Sequence, residues 1–391
     1  MLGSMREYLL LTLVTAAVTY LLVPAVRSFA LRIGAAPEVR DRDVHTTPTP
    51  RLGGLAMFGG MAAGLLFATH LPYVGSALTS KSIGGGQAVT ALILAGGLLT
   101  LIGFLDDWLG MSAMVKLLGQ IAAAGILAYF DVALRWIPLP GNYTISLDDM
   151  LRPTLTVLVI VVTINAVNFV DGLDGLAAGI VGIGAMATFA YSIALSWDVM
   201  ESRINMTAAV CAILIGMCLG FLPHNFNPAK IFMGDTGAML IGMLLGTSLI
   251  TITSSFPGSS HTFNRFPLVL PLLLPVSVIV LPLMDLIMAV IRRTSAGMSP
   301  FAPDRGHLHH RLLDIGHSHR QSVLIMYAWS FLFASAVVGL ALGGVPVIVL
   351  ILTAVAAVGV LTIMAMPKVR ARRSRQTHTR SPHTRKTESI P

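Results

Sequence analysis

Acidic side chains gather in three short polar segments of this otherwise apolar sequence. The segments are GFLDDWLG, NFVDGLDG and NPAKIFMGDTGA, and their acids are Asp106, Asp107, Asp171, Asp174 and Asp235. Carboxylates that share a weakly solvated region repel one another unless a cation lies between them, and hard oxygen ligands favour Mg²⁺ or Mn²⁺. Because Mg²⁺ keeps several positions for water and substrate phosphates, these segments predict phosphoryl chemistry.

Basic and histidine-rich segments supply the complementary charge. Residues 42–54 place His45 and Arg51 beside a proline-punctuated stretch and a glycine pair. Residues 303–311 hold a second cluster, which consists of Arg305, His307, His309, His310 and Arg311. Three histidines in one loop suggest zinc, but arginine and imidazole donors around a diphosphate account better for this mixture. We therefore expect both segments to bind an anionic substrate.

Apolar helices must position these residues. Hydrophobic residues make up 55% of the 391 residues and charged residues only 11%, a balance that indicates a multi-pass membrane protein. Apolar runs long enough to cross a bilayer predict an all-α integral membrane fold of about eleven transmembrane helices. The runs cover residues 8–26, 52–71, 87–105, 113–130, 152–168, 176–196, 206–222, 237–254, 267–291, 322–342 and 346–366. The first run lacks a small-residue cleavage pattern, so we interpret it as a span rather than a signal peptide.

The distribution of lysine and arginine predicts the orientation of these spans. With eleven spans, one alternating set of connections contains 20 of the 26 basic residues and the other set contains six. Because connections rich in Lys and Arg stay in the cytoplasm, the N-terminus is expected outside and the C-terminus inside. The acidic segments and the histidine loop then all face the cytoplasm.

The sequence divides into two parts of unequal size. Residues 1–366 are predicted to form one transmembrane domain, and residues 367–391 a disordered basic tail that is attracted to anionic headgroups. The tail contains no aromatic residue on which a base could stack, so a nucleic-acid partner is not expected.

Five motifs follow one another in a characteristic order. They are HTTPTPRLGG, GFLDDWLG, NAVNFVDGLDGLAAG, NPAKIFMGDTGA and PDRGHLHHRLL. With these motifs the chain, from residue 27 to residue 320, closely resembles the polyprenyl-phosphate N-acetylhexosamine-1-phosphate transferases, a bacterial membrane family. The resemblance implies a multi-pass enzyme of the bacterial plasma membrane, a cytoplasmic active-site cleft and a homodimer. It also implies Mg²⁺-dependent transfer of a sugar 1-phosphate from a UDP-sugar to a polyprenyl phosphate, with release of UMP.

The resemblance further implies roles for the acidic and amide residues. Asp106 and Asp107 match the family's paired catalytic aspartates, and the first is expected to deprotonate or orient the lipid phosphate. Asn168 and Asp235 match positions that hold the metal. Asn165, three residues before Asn168, is expected to be only structural.

Substrate-binding roles follow from the same motifs. Asp171 and Asp174 match acids on the nucleotide side, and Phe232 matches an aromatic residue that stacks on uracil. The other expected substrate-binding residues are His45, Arg51, Asn225, Arg305, His307, His309 and His310.

Several alternatives remain open within this interpretation. The HTTPTPRLGG motif and Leu308, which interrupts the histidine run, favour UDP-GlcNAc over the muramyl-pentapeptide donor of a related branch. Direct attack by the lipid phosphate is favoured over a covalent intermediate through Asp107 or Asp171. A secondary transporter is the alternative from another class, because the proline-rich run 267–291 with Asp285 is typical of a broken helix. The other acids, however, lie at the ends of spans, and a matching second half is not evident.

Overall fold

The computed structural model describes residues 2–35, 49–79, 86–139, 143–199, 204–254 and 317–341, together with residues 294, 352, 355 and 359. Apolar helices dominate this part of the chain. They are α1 (Leu2–Arg32), α2 (Gly53–Ala68), α3 (Pro72–Leu78), α4 (Ala88–Leu109), α5 (Ala113–Tyr129), α6 (Leu151–Val170), α7 (Leu176–Val199), α8 (Ile204–Asn225), α9 (Gly234–Ser254) and α10 (His319–Ala341).

Nine of the eleven predicted spans coincide with helices among the described residues. Seven of these helices are long and apolar enough to cross a membrane, namely α1, α4, α6, α7, α8, α9 and α10. Helices α2 and α3 form a pair bent by 106°, and α5 is apolar but shorter than the others. The predicted spans 267–291 and 346–366 and the tail 367–391 lie outside the described residues. The helical membrane fold is confirmed, whereas the count of eleven spans and the orientation stay predictions.

Helix α9 lies at the centre of the bundle. It contacts α2, α4, α6, α7 and α8, and every residue from Thr236 to Ser254 is buried. Close packing depends on glycine, since a Cβ at Gly242 would lie 2.7 Å from the Cα of Ile164 on α6. Small residues of this kind let membrane helices approach one another closely. The first turn of α9 is therefore held from several sides.

Helix α1 packs against α2 and α8 in the same way. A Cβ at Gly60 of α2 would lie 1.9 Å from the hydroxyl oxygen of Thr19, and one at Gly216 of α8 would lie 2.6 Å from the carbonyl oxygen of Thr12. These close contacts hold α1 against the middle of α2 and of α8, the two helices that lead into the polar segments around residues 50 and 226.

A short β-hairpin connects α5 to α6 and was not predicted. Its strands are β1 (Trp136–Leu139) and β2 (Tyr143–Ser146), paired antiparallel with Trp136 opposite Ser146. Beside it, Arg135 and Arg152 contact the carboxylate of Asp131 at 2.5 and 3.3 Å. Because α5 leads away from the end of α4, the hairpin lies at the end of the bundle opposite Asp106.

Candidate active site

Three carboxylates meet where α4 ends and α9 begins. Asp106 and Asp107 occupy the last turn of α4, and Asp235 occupies the first turn of α9. One oxygen of each carboxylate lies within 4.8 Å of the others. The side chains of Asp106 and Asp235 are 11% and 25% exposed, so water screens their mutual repulsion only in part. The acidic cluster, defined as Asp106, Asp107 and Asp235, therefore favours a cation.

Asp107 is held by the N-terminus of α9. Its Oδ1 accepts the N–H of Asp235 at 3.0 Å, and its Oδ2 accepts the N–H of Thr236 at 3.0 Å and the Thr236 hydroxyl at 2.6 Å. The first N–H groups of a helix have no partner within the helix and carry partial positive charge. Asp107 thus acts as a cap supplied by another helix, and it joins α4 to α9.

Glycine makes this junction possible. Gly234 has φ +70°, and a Cβ there would lie 1.9 Å from the carbonyl oxygen of Arg51 and 2.3 Å from Asp107 Oδ2. A Cβ at Gly103 of α4 would lie 2.3 Å from the Cα of Thr236. Only glycine allows the backbones to approach this closely, so the glycines of GFLDD and MGDTG set the separation of the acids.

Lys116 lies between two of the acids. Its Nζ is 3.0 Å from Asp106 Oδ2 and 2.6 Å from Asp235 Oδ2. Sequence reasoning missed this residue because it treated Lys116 only as one of the positive charges that set orientation. A single lysine in the first turn of an apolar helix, ten residues after Asp106, was the available signal. Lys116 compensates part of the negative charge of the acidic cluster.

Asn168 and Asp171 extend the site from the end of α6. The Asn168 side chain hydrogen-bonds the Asp235 carboxylate, so the two residues predicted to hold the metal lie together. Burial and, to a smaller extent, the charges of Asp235 and Asp107 together raise the pKa of Asp171 to about 7, and the positive charge of Arg51 opposes them. Asp171 therefore lies within the electrostatic reach of the acidic cluster, as the sequence predicted for acids on one face.

The oxygen donors at this end of the bundle fit a hard divalent cation. Asp106, Asp107, Asp235 and the amide oxygen of Asn168 are ligand types that Mg²⁺ and Mn²⁺ prefer. Nitrogen and sulfur ligands, which favour zinc, are not among the described residues that form the acidic cluster. The donors are thus of the type that the predicted cofactor needs, and the identity of the cation stays a prediction.

Asp174 and Asn225 join two loops to each other. Asp174 Oδ2 accepts the Asn227 amide at 2.9 Å and the N–H of Ala229 at 3.1 Å. Asn225 accepts the N–H of Gly175 at 3.0 Å and donates to the carbonyl of Ile231 at 3.0 Å. Both side chains are buried, so the structure gives them contacts that fix the loops. Their direct contact with a nucleotide stays a prediction.

Phe232 and Arg51 lie on adjacent backbone segments. The N–H of Phe232 donates to the carbonyl of Pro50 at 2.8 Å, and its carbonyl accepts the N–H of Gly53 at 3.0 Å. The Phe232 side chain is half-buried, whereas Arg51 is exposed. This pairing places residues 50–53 against Phe232, whereas the sequence predicted only that the two segments lie on the same face of the membrane.

Other predicted residues differ in how far the structure describes them. Asn165 donates to Gln120 on α5 at 2.6 Å and to the carbonyl of Val161 at 2.8 Å, contacts within the bundle that are expected of a structural residue. Eight residues named from the sequence lie outside the described part of the chain, namely His45, Asp285, Arg305, His307, Leu308, His309, His310 and Arg311.

Comparison with known proteins adds independent information. Residues 89–253 match the model of a family described as glycosyl transferase family 4. The chain is 42% identical over 331 residues to the decaprenyl-phosphate N-acetylglucosaminephosphotransferase of Mycolicibacterium smegmatis, covering 83% of this chain and 80% of the relative. It is 33% identical over 322 residues to the probable undecaprenyl-phosphate N-acetylglucosaminyl 1-phosphate transferase of Bacillus subtilis, covering 81% of each. It is 32% identical over 348 residues to the phospho-N-acetylmuramoyl-pentapeptide-transferase of Desulforudis audaxviator, covering 83% of this chain and 94% of the relative.

Proposed function

Because the chain belongs to glycosyl transferase family 4, the polyprenyl-phosphate N-acetylhexosamine-1-phosphate transferases, we propose that it transfers GlcNAc 1-phosphate from UDP-GlcNAc to a polyprenyl phosphate. The products are polyprenyl-diphosphate-GlcNAc and UMP. The observation that carries this proposal is the acidic cluster with Lys116 at one end of an apolar bundle. The end of an apolar bundle lies at the membrane surface, where a water-soluble diphosphate donor can reach an acceptor that is embedded in the membrane.

The donor sugar is assigned from the relatives. Relatives whose names specify N-acetylglucosamine are up to 42% identical to this chain, whereas the relative whose name specifies the muramoyl-pentapeptide is 32% identical. UDP-GlcNAc is therefore the proposed donor, and the muramyl-pentapeptide donor is the alternative. The names of the relatives also support a polyprenyl phosphate as acceptor.

We assign Asp235 and Asn168 to a Mg²⁺ site beside Asp106 and Asp107, with Mn²⁺ as the substitute ion. When bound, the cation would neutralise charge on the diphosphate and on the departing UMP. Lys116 supports the same task from the protein side, since its ammonium already lies 3.0 Å from Asp106 and 2.6 Å from Asp235. Arg51 adds a second positive charge on the donor side.

Asp106 is the proposed group that orients or deprotonates the lipid phosphate. An oxygen of that phosphate attacks the phosphorus that carries the sugar, a new P–O bond forms, and the P–O bond to UMP breaks. Asp107 is poorly suited to act as a nucleophile instead, because both of its oxygens accept hydrogen bonds from α9. This observation favours direct attack over a covalent intermediate through Asp107. Positioning of the two phosphates then provides much of the acceleration.

The proposed orientation and assembly follow the sequence. Eleven spans with the N-terminus outside put the acidic cluster on the cytoplasmic face, where UDP-sugars are available. On this arrangement the β-hairpin lies on the outer side. The chain is proposed to act in the bacterial plasma membrane as a homodimer.

The test is a transfer assay with purified full-length protein. Radiolabelled UDP-GlcNAc, polyprenyl phosphate and Mg²⁺ are incubated, and label in the organic phase is measured. We expect lipid-linked label that depends on the cation and is lost in Asp235→Asn. Label from UDP-MurNAc-pentapeptide alone would favour the alternative donor, and no lipid product from any UDP-HexNAc would refute the proposal.

A further inference from the structure

Helix α10 contacts both loops that carry the nucleotide-side residues. Loop 171–175 joins α6 to α7 and contains Asp171, and loop 226–233 joins α8 to α9 and contains Phe232. His319 Nε2 accepts the N–H of Asp174 at 3.1 Å, and Arg320 Nε donates to the carbonyl of Asn227 at 2.7 Å. About two turns later along α10, the hydroxyl of Tyr327 donates to the carbonyl of Gly175. We name His319, Arg320 and Tyr327 the α10 clamp.

We propose that the α10 clamp positions loop 171–175 for donor binding, so that His319 and Tyr327 are positioning residues of the transferase. The inference rests on the proposed function only for the identity of the donor. None of the five motifs includes these residues, which follow the histidine loop 303–311 in the sequence.

The Tyr327 ring packs at a position that only glycine on α7 can accommodate. A Cβ at Gly179 on α7 would lie 1.9 Å from Cζ and 2.1 Å from the hydroxyl oxygen of Tyr327, so the ring lies directly on the backbone of α7. Gly175 has φ +79°, a conformation that glycine adopts without steric cost. The spacing of these two glycines in DGLDGLAAG therefore lets one tyrosine reach the main chain of the loop.

The α10 clamp acts on a unit of two loops. The side chains of Asp174 and Asn225 already bond loop 171–175 to the segment 227–231, so a shift in one loop is passed to the other. The acidic cluster, by contrast, receives its hydrogen bonds from residues of α5, α6 and α9 and from Met111. Loss of the α10 clamp should loosen donor binding and leave the reacting groups in place.

The test compares two tyrosine variants of the full-length protein in the transfer assay. Tyr327→Phe removes the hydroxyl that bonds Gly175 and keeps the ring on Gly179. Tyr191→Phe, at a buried tyrosine near the other end of α7, is the matched control. We expect Tyr327→Phe to raise the KM for UDP-GlcNAc about five-fold, the size of one lost hydrogen bond, with kcat within about two-fold of wild type. Tyr191→Phe should leave both constants unchanged.

Substitutions of His319 test the second contact. His319→Leu removes the acceptor of the Asp174 N–H and should raise the same KM, whereas His319→Gln offers a carbonyl oxygen and should recover part of the loss. Wild-type KM in both Tyr327→Phe and His319→Leu would overturn the proposal. So would a fall in kcat with unchanged KM, because it would place these residues in the chemical step.

Amide hydrogen exchange separates this inference from the proposed function. Without any substrate, peptides covering residues 171–176 should exchange faster in Tyr327→Phe and His319→Leu than in wild type or Tyr191→Phe. Unchanged exchange in both variants would overturn the α10 clamp even if the protein proves to be an active transferase. A wild-type protein that transfers nothing from UDP-GlcNAc would instead refute the proposed function, while exchange still decides whether α10 holds the loop.

Discussion

Asp107 Oδ2 accepts both the backbone N–H and the hydroxyl of Thr236, at 3.0 and 2.6 Å. One carboxylate oxygen on α4 therefore holds two donors at the start of α9, although the two residues are 129 positions apart. This junction brings Asp235 next to Asp106. The distance between the acids is set by these hydrogen bonds between α4 and α9 and not by flexible loops.

Thr236→Val should weaken this junction. It keeps the shape of the side chain but removes the hydroxyl donor, and the free energy of unfolding should fall by about 1–3 kcal/mol because a hydrogen bond to a carboxylate is lost. Turnover should fall as well, since Asp235 moves relative to Asp106. Thr236→Ser keeps the hydroxyl and is the control. Thermal unfolding in detergent measures the effect, and equal stability of the Val and Ser variants would contradict it.

Lys116→Met should have opposite effects on cation binding and on turnover. Without the ammonium, Asp106 and Asp235 are less neutralised, so Mg²⁺ should stabilise the substrate-free protein at lower concentration than in wild type. Turnover should fall by about ten-fold or more, because a positive charge beside the reacting phosphates is lost. Mg²⁺-dependent thermal shifts and the transfer assay measure the two effects.

Lys230→Met is the control for net charge, because Lys230 contacts Arg27 through its main-chain carbonyl. A Lys116→Met protein with wild-type turnover would remove Lys116 from the proposed site. A higher Mg²⁺ requirement for stabilisation would show that the lysine helps to organise the ligands instead of competing with the cation.

Asp171 should make stability depend on pH in the absence of divalent cations. Burial and the charges of Asp235 and Asp107 raise the pKa of Asp171 to about 7, whereas an aspartate in the unfolded chain has a pKa of about 4. Between these values the folded protein binds more protons than the unfolded chain, so this residue's contribution to stability falls as pH rises from about 4 to about 7. The Asp171→Asn variant has no ionisable group at this position, so this contribution to the pH dependence of stability is absent from it.

The measurement is the difference in unfolding temperature between Asp171→Asn and wild type in EDTA. The variant should gain stability relative to wild type as pH increases to about 7, with no further change above it. A difference that stays constant between pH 4 and pH 7 would show that Asp171 keeps an ordinary pKa in the folded protein.

Gly103→Ala should disrupt the contact between α4 and α9. The added Cβ would lie 2.3 Å from the Cα of Thr236, and backbone at that distance cannot give way easily. We expect a loss of about 1–3 kcal/mol and a marked loss of transfer activity. Gly125→Ala is the control on α5, where a Cβ meets nothing within 4 Å, and it should be neutral or stabilising by up to about 1 kcal/mol. Similar behaviour of the two variants would argue against close packing at this point.

The long helices were predictable because a span is a simple signal. Each predicted run is a predominantly apolar stretch, and bilayer thickness fixes the length that such a stretch needs. The hairpin Trp136–Leu139 with Tyr143–Ser146 was missed because strands of four residues show too little alternation. The bend between α2 and α3 was missed for a similar reason, since the apolar pattern continues through it.

The residues of the site could largely be predicted from the sequence, but the hydrogen bonds and ion pairs between them could not. The motifs identified Asp106, Asp235 and Asn168, and the structure brings these three together. Lys116 looked like an ordinary charge in a cytoplasmic connection. The capping role of Asp107 could not be read from the sequence, because it depends on a distant helix terminus arriving at the end of α4. A side chain whose role depends on tertiary contacts has no characteristic pattern of neighbouring residues in the sequence.

The complete burial of α9 has a consequence for biogenesis. Its mean hydropathy is the lowest of the seven candidate spans, and its inner turns carry buried hydroxyl residues such as Thr247, Ser248 and Thr251. Such a segment partitions into lipid less favourably than the other candidate spans do, and its insertion should depend more on neighbouring helices that are already in the membrane. Since Asp235 lies in the first turn of α9, it cannot join Asp106 and Asp107 before α9 is inserted. The acidic cluster should therefore form only after α9 has entered the membrane.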